Sequence, residues 1–136
     1  MINADKNFLH ADITDKIIGC AYKVYRILGA GFLEKIYENA LIIELHQIGL
    51  NVVQQHPIKV NYKGNIIGDY YADLLVENTV IIELKAVNEL SKVHETQLVN
   101  YLKATGIEVG LLINFGDDIN IKRKVMQAQN DRKDYK

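Results

Sequence analysis

One change of hydrophobic period, between Gly49 and Val52, divides the chain and restricts what it can fold into. Before it, apolar residues step by three and four. Ile13, Ile17, Ala21, Val24 and Leu28 mark a helix over 12–28, with Asp12 placed to cap it and Gly29 to stop it. After the tight turn Gly29-Ala30-Gly31, a second stripe of Leu33, Tyr37, Ala40, Leu41, Leu45 and Ile48 predicts a helix over 33–48. Beyond Gly49 the pattern is that of strands: 52–62, a turn at Lys63-Gly64-Asn65, then 66–76 and 80–87. Pro57 puts the first of these at an edge or an irregularity. Ser91 caps and Gly106 stops a third helix over 91–105, and 108–114 is a last strand whose Val-Gly-Leu-Leu-Ile run implies burial on both faces. Gly116-Asp117-Asp118 turns the chain, and the remainder has room for a short strand before a basic tail. The order α-α-β-β-β-α-β predicts an α/β sandwich with a mixed central β-sheet flanked by helices.

Composition narrows the function classes. With 136 residues, 49% hydrophobic and 24% charged, residues 1–136 read as one globular domain, not as a disordered or low-complexity chain. The single cysteine, Cys20, excludes an internal disulfide and a thiolate metal cluster, and its helical setting reads as packing. No apolar run approaches the ~18 residues of a membrane span, and the N-terminus lacks the pattern of a signal peptide. A cytoplasmic protein without membrane contact is expected. The net charge is −1, but residues 122–136 hold six basic groups (Lys122, Arg123, Lys124, Arg132, Lys133, Lys136) against two acidic ones. The plain reading is a solvated tail; the functional one is contact with phosphate.

The stretch that carries chemistry runs from Asp73 to Lys85. Side chains alternate along a strand, so Glu83 and Lys85 share a face. A three-residue loop at Glu77-Asn78-Thr79 pairs residues whose numbers sum to 156, setting Asp73 opposite Glu83 and Tyr71 opposite Lys85. The other face then holds only apolar residues: Ala72, Leu74, Val76, Val80, Ile82, Leu84 and Ala86. A two-residue loop breaks that sorting. Carboxylates directly opposite each other lie about 4.5–5.5 Å apart at Cβ and repel. A divalent cation with oxygen ligands is the simplest compensation, and Mg²⁺ takes one or two carboxylates, waters and phosphate oxygens. The plainer alternative is an ion pair between Lys85 and a carboxylate on an exposed sheet face.

Asp73 followed by Glu83-x-Lys85 at the end of an apolar strand resembles the active-site motif of the PD-(D/E)XK nuclease superfamily, the restriction-endonuclease-like fold. Gly31-Phe-Leu-Glu34-Lys-Ile-Tyr37 is similar to the signature of the GxxExxY protein family, a small branch of it. Gln97-Leu-Val-Asn-Tyr101 resembles the Gln-x-x-x-Tyr motif of phage-exonuclease and RecB-type members, and Gly110-Leu-Leu-Ile-Asn-Phe-Gly116 their last core strand. The resemblance spans roughly residues 12 to 125. It departs at Ala72, where the superfamily name has proline, a position that supplies no side-chain chemistry.

The resemblance implies a metal-dependent nuclease with a restriction-endonuclease-like sandwich, hydrolysing phosphodiester bonds, with DNA the expected nucleic acid and Mg²⁺ (or Mn²⁺) the cofactor. Asp73 and Glu83, with the backbone carbonyl of Leu84, would hold the metal, and Lys85 would position the attacking water. Glu34 would ligate the metal or support a ligand, and Gln97 and Tyr101 would face the phosphate backbone or a water. Without the resemblance, Tyr37 is a core aromatic and Glu34 a first-turn carboxylate favoured by the helix dipole. Likewise His94, Gln97 and Tyr101 are then a polar helix stripe, with His94 a candidate substrate contact. The rival reading is a non-catalytic module that binds nucleic acid or a partner and keeps the fold. The acidic body and small size speak for it, and the complete Asp/Glu/Lys set speaks for the enzyme. A homodimer or protein partner is left open.

Overall fold

The computed structural model describes residues 9–126, in which three helices flank a five-stranded mixed sheet. Helices α1 (Ala11–Leu28) and α2 (Glu34–Gln47) are followed by strands β1 (Val52–Tyr62), β2 (Asn65–Val76) and β3 (Val80–Lys85). Then come α3 (Lys92–Thr105), β4 (Val109–Phe115) and β5 (Ile119–Val125). The strands lie in chain order, β1-β2-β3-β4-β5. All neighbours are antiparallel except β3 and β4, which α3 connects as a parallel pair. This is the expected α/β architecture, with β5 as an added, fully formed edge strand.

Each face of the sheet buries its own cluster. Ile17, Val24, Tyr37, Leu41 and Leu45 of α1 and α2 pack on Leu74, Val76, Val80, Ile82, Leu84 and Ile113. Leu98, Tyr101 and Leu102 of α3 pack on Ile58, Leu75, Ile81 and Leu112 of the opposite face. The interior strand β4 is buried along its whole length, as its apolar run requires. Cys20 is buried in the first cluster, where loss of hydration pushes its thiol pKa up. No helix among the described residues is long and apolar enough to cross a membrane.

Four local differences from the sequence reading have physical causes. His10, in the left-handed region at φ 55°, and not Asp12, precedes α1. Strand β3 ends at Lys85, because the Asn114 side chain takes over the backbone of Val87, donating to its carbonyl at 2.8 Å and accepting from its N–H at 3.0 Å. Lys122, Arg123 and Lys124 lie in β5 and not in a tail. Lys124 pairs with Glu95 at 2.6 Å and Arg123 donates to the carbonyl of Leu9, whereas Arg132, Lys133 and Lys136 fall outside the described residues. Finally, Ala72 packs with Ile58 and Leu75 in the α3 cluster, not beside Leu74. Two residues apart on a strand, they should share a face, so β2 changes its sidedness at Asp73.

Candidate active site

The site forms where β2 and β3 part. Their ladder runs Val76↔Val80, Leu75↔Ile81 and Leu74↔Ile82, the register summing to 156, closed by a three-residue turn with Glu77 and Asn78 at positive φ. It stops there: Tyr71 and Lys85 are not paired with each other, and keep only their partners on the outer sides, Pro57 of β1 and Asn114 of β4. At the next step the side chains replace the ladder. The Asp73 N–H donates to Glu83 Oε2 at 2.9 Å, and the Leu84 N–H donates to Asp73 Oδ2 at 2.7 Å. Each carboxylate thus satisfies a backbone donor of the other strand, and the two are fixed against each other.

The other flank of Asp73 is equally irregular. Its partner position on β1 is Gln55, and neither residue is paired although the register is the same on both sides. Gln55 sits in the left-handed region at φ 55°, uncommon for a residue that is not glycine. The consequence is that Gln54 and Gln55, which ought to point to opposite faces, both reach Glu38 of α2. The Gln54 amide donates to Glu38 Oε2 at 2.6 Å and the Gln55 amide at 3.2 Å, with Lys35 Nζ at 3.0 Å from the same oxygen. The Gln55 amide also favours the ionised form of Asp73. Glu38, only 2% exposed, is therefore a buried carboxylate one helical turn from Glu34 and joined to Asp73 through Gln55. Sequence reasoning passed over all three. The available signal was that Glu38 falls on the stripe Glu34, Tyr37, Leu41 and Leu45, which is otherwise the packing face of α2.

Electrostatics single out the pair. Glu83 is 6% exposed, and burial, reinforced by the Asp73 charge, pushes its pKa up to about 8. Burial also raises Asp73, against the opposing effect of the Leu84 N–H. Glu34 is raised by burial and then by Asp73. Lys85 lowers all three carboxyl groups, yet it makes no ion pair within 4 Å among the described residues. The reading of Lys85 as one half of an exposed cross-strand ion pair thus fails on both counts: there is no such pair, and Glu83 is buried.

The remaining candidates divide. Gln97 donates to the Tyr101 hydroxyl at 2.9 Å, and Tyr101 feels the charges of Glu83 and Asp73, so this part of α3 borders the pair. His94 is turned elsewhere, its Nδ1 accepting the Ser91 N–H at 3.2 Å at the start of α3. Tyr37 is fully buried, stacked on Phe115 with ring centroids 4.5 Å apart. Its hydroxyl donates to the carbonyl of Gly29 and accepts from the Phe32 N–H, holding the loop that launches α2 and hence Glu34. Leu84 buries its side chain in the first cluster while its peptide lies against Asp73.

These residues fit a divalent cation of the Mg²⁺ kind. A buried and a half-buried carboxylate repel, Lys85 alone leaves them above their ordinary pKa, and Glu83 Oε1 has no hydrogen-bond partner among the described residues. No group of three or more His, Cys, Asp or Glu side chains forms a ready-made cage among the described residues. That suits an ion which keeps several waters and takes one or two carboxylates.

Comparison with known proteins decides the family. Residues 11–127 match the model of the PD-(D/E)XK nuclease superfamily. The chain belongs to that superfamily. PD-(D/E)XK nucleases generally use divalent metal ions. Among solved structures, an alkaline exonuclease (LHK-Exo) from Laribacter hongkongensis superposes with a TM-score of 0.51 at 15% identity, over 68% of this chain and 56% of its own. The protein SSO0001 superposes with a TM-score of 0.52 at 20% identity, over 93% of this chain and 63% of its own. At these identities the likeness is one of fold, and the chain spans less than two thirds of either protein's length. Comparison with curated proteins gave no match. Of the residues singled out above, Asp73 and Glu83 interlock where β2 and β3 part, and Lys85 is near enough for its charge to lower the pKa of both.

Proposed function

We propose that this protein is a divalent-metal-dependent nuclease of the GxxExxY branch, hydrolysing phosphodiester bonds in DNA with Mg²⁺ as its ion. The observation that carries this reading is the interlocked carboxylate pair: two acids, one buried and one half-buried, both raised in pKa, that a structural role alone does not require. Asp73 and Glu83, with the Leu84 carbonyl, would hold the ion. Bound there, it supplies Lewis-acid polarisation of the phosphate and a lower pKa for its own water. Lys85 sets a compact cation beside the pair, where it orients the attacking water and stabilises charge on the phosphate oxygens. Glu34 supports a water of the ion's shell, and Gln97 and Tyr101 offer an amide and a phenol to the phosphate backbone.

The test is incubation of the purified protein with labelled single-stranded DNA, duplex DNA and RNA, with Mg²⁺, Mn²⁺ or chelator. Cleavage of DNA that needs the ion, and that Asp73→Asn and Glu83→Gln each abolish while remaining folded, is the expected result. Calorimetric titration should show Mg²⁺ binding lost in both variants. Binding of nucleic acid without cleavage under any ion would instead assign a non-catalytic module.

A further inference from the structure

Beside the carboxylate pair, a cleft of about 570 Å³ opens between α3 and the β1–β2 hairpin. Its sheet side is Val60 and the half-exposed ring of Tyr70, which leans on Tyr101 with centroids 6.0 Å apart. Its helix side carries Lys92, Gln97 and Asn100. The Tyr70 ring is held in place by an absence. A Cβ added at Gly68 would come within 2.9 Å of Tyr70 Cε2 and 3.3 Å of Val60, so the ring lies over a glycine that leaves it room. Gly68 is not at positive φ, so room for the ring, not backbone freedom, is what a side chain there would remove.

The cleft combines in its lining an aromatic platform, apolar surface, two amides and the cation of Lys92, and Tyr101 is shared with the site of the carboxylate pair. Its volume falls in the range of about 300–1,000 Å³ typical of small-ligand sites. We infer that this cleft receives one unstacked nucleobase of a single-stranded substrate, stacked on Tyr70, when the adjoining phosphate lies at Asp73 and Glu83. Asn100 and the carbonyl oxygen of Gln97 can hydrogen-bond a base edge, and Lys92 meets a neighbouring phosphate. A paired, stacked base in a duplex cannot enter without being extruded, which costs a few kcal/mol. The proposal rests on the nuclease reading for its substrate class, and it gives that nuclease a preference for single-stranded or frayed DNA.

Binding without catalysis separates the two. The full chain is titrated into a fluorescein-labelled single-stranded oligonucleotide and its blunt duplex in chelator, alongside Tyr70→Ala, Tyr70→Phe and Gly68→Ala, each checked by circular dichroism. Base–aromatic stacking is worth about 1–3 kcal/mol per base, so Tyr70→Ala should weaken single-strand binding by roughly five- to a hundredfold. Tyr70→Phe should bind like the parent, and Gly68→Ala should lose affinity with Tyr70 intact because the ring is displaced. Duplex binding should be weaker in the parent and unmoved by these changes. A 5-iodouracil-substituted strand should photocrosslink to Tyr70. Parent-like single-strand binding by Tyr70→Ala, an equal loss in Tyr70→Phe, or duplex binding as tight as single-strand binding would overturn the proposal. Loss of cleavage in Asp73→Asn with single-strand binding kept leaves it standing, whereas a parent that cleaves DNA but binds independently of Tyr70 overturns it and spares the nuclease reading.

Discussion

At the scale of single residues, the site is a set of charges whose proximity the fold enforces, and each can be removed in turn. Lys85 lowers the pKa of three carboxyl groups without contacting any of them. Replacing it with alanine has opposing effects on metal affinity: protons compete better for the carboxylates, and a repelling cation is gone. Lys85→Ala should therefore keep Mg²⁺ binding within several-fold while losing most cleavage, on the order of 10²–10³ in rate. Lys85→Arg substitutes a planar fork for a compact ammonium and should restore only part of it. Single-turnover cleavage and calorimetry on the same preparations check both statements. Glu38 plays a different part. It takes donors from Lys35, Gln54 and Gln55 in a nearly solvent-free position, all three converging on Oε2. Glu38→Gln can keep an oxygen where these donors converge, but it loses the charge that pairs with Lys35 and sets its amide against that of Gln55. It should cost about 1–3 kcal/mol of stability in chemical denaturation, with lower cleavage as Gln55 and Asp73 lose their support.

At the scale of elements, what the sequence revealed and what it hid follow from the range of the interactions. The three-residue turn and the pairing that sums to 156 were legible because sidedness repeats every second residue, and only one register sorted the apolar set. The interruption at Asp73 was not legible. It depends on Gln55 adopting φ 55°, a conformation that glycine or asparagine would have advertised and glutamine does not. For the same reason the parity argument carried Ala72 and Tyr71 one step too far. Strand β5 was legible in part: room for a short strand after the 116–118 turn was expected and Ile119, Ile121 and Val125 alternate, but Lys122, Arg123 and Lys124 read as the start of a basic tail and belong to the strand. The strain at Gln55 gives a test of the element as a whole. Gln55→Gly relieves a backbone conformation that costs on the order of 1–3 kcal/mol but removes the amide between Glu38 and Asp73. It should melt within a few degrees of the parent while cleaving poorly. Gln55→Val, β-branched at the same φ, should lower both melting temperature and activity. A Gln55→Gly protein with full activity would show that the amide contributes nothing to the site.

At the scale of the whole molecule, the carboxylate pair ties folding to pH and to metal with a definite sign. In the unfolded chain Glu83 ionises near the ordinary glutamate value, whereas in the folded, metal-free protein it holds its proton up to about 8. Between those values the native state binds more protons than the unfolded one, so this group's contribution to stability falls as pH rises through that window. Asp73 and Glu34 are raised as well and act in the same direction. The partly exposed Glu95, lowered by Lys124, acts oppositely, but only in the acid range below its ordinary value. In chelator, the melting temperature should therefore decline from pH 5.5 to 8. A divalent ion that binds only the folded protein stabilises it by RT ln(1 + [L]/Kd), about 2.7 kcal/mol at a hundredfold excess over Kd. Protons compete for the same oxygens, so that gain should be small at pH 5.5 and large at pH 8, reversing the slope. Glu83→Gln cannot titrate, so it should flatten the chelator curve and also lose the response to Mg²⁺. Thermal unfolding of parent and variant across this range, with Mg²⁺ and with chelator, reads both effects in one experiment. Equal stabilisation by Mg²⁺ at the two ends, or a variant that still responds, would place the ion away from Asp73 and Glu83.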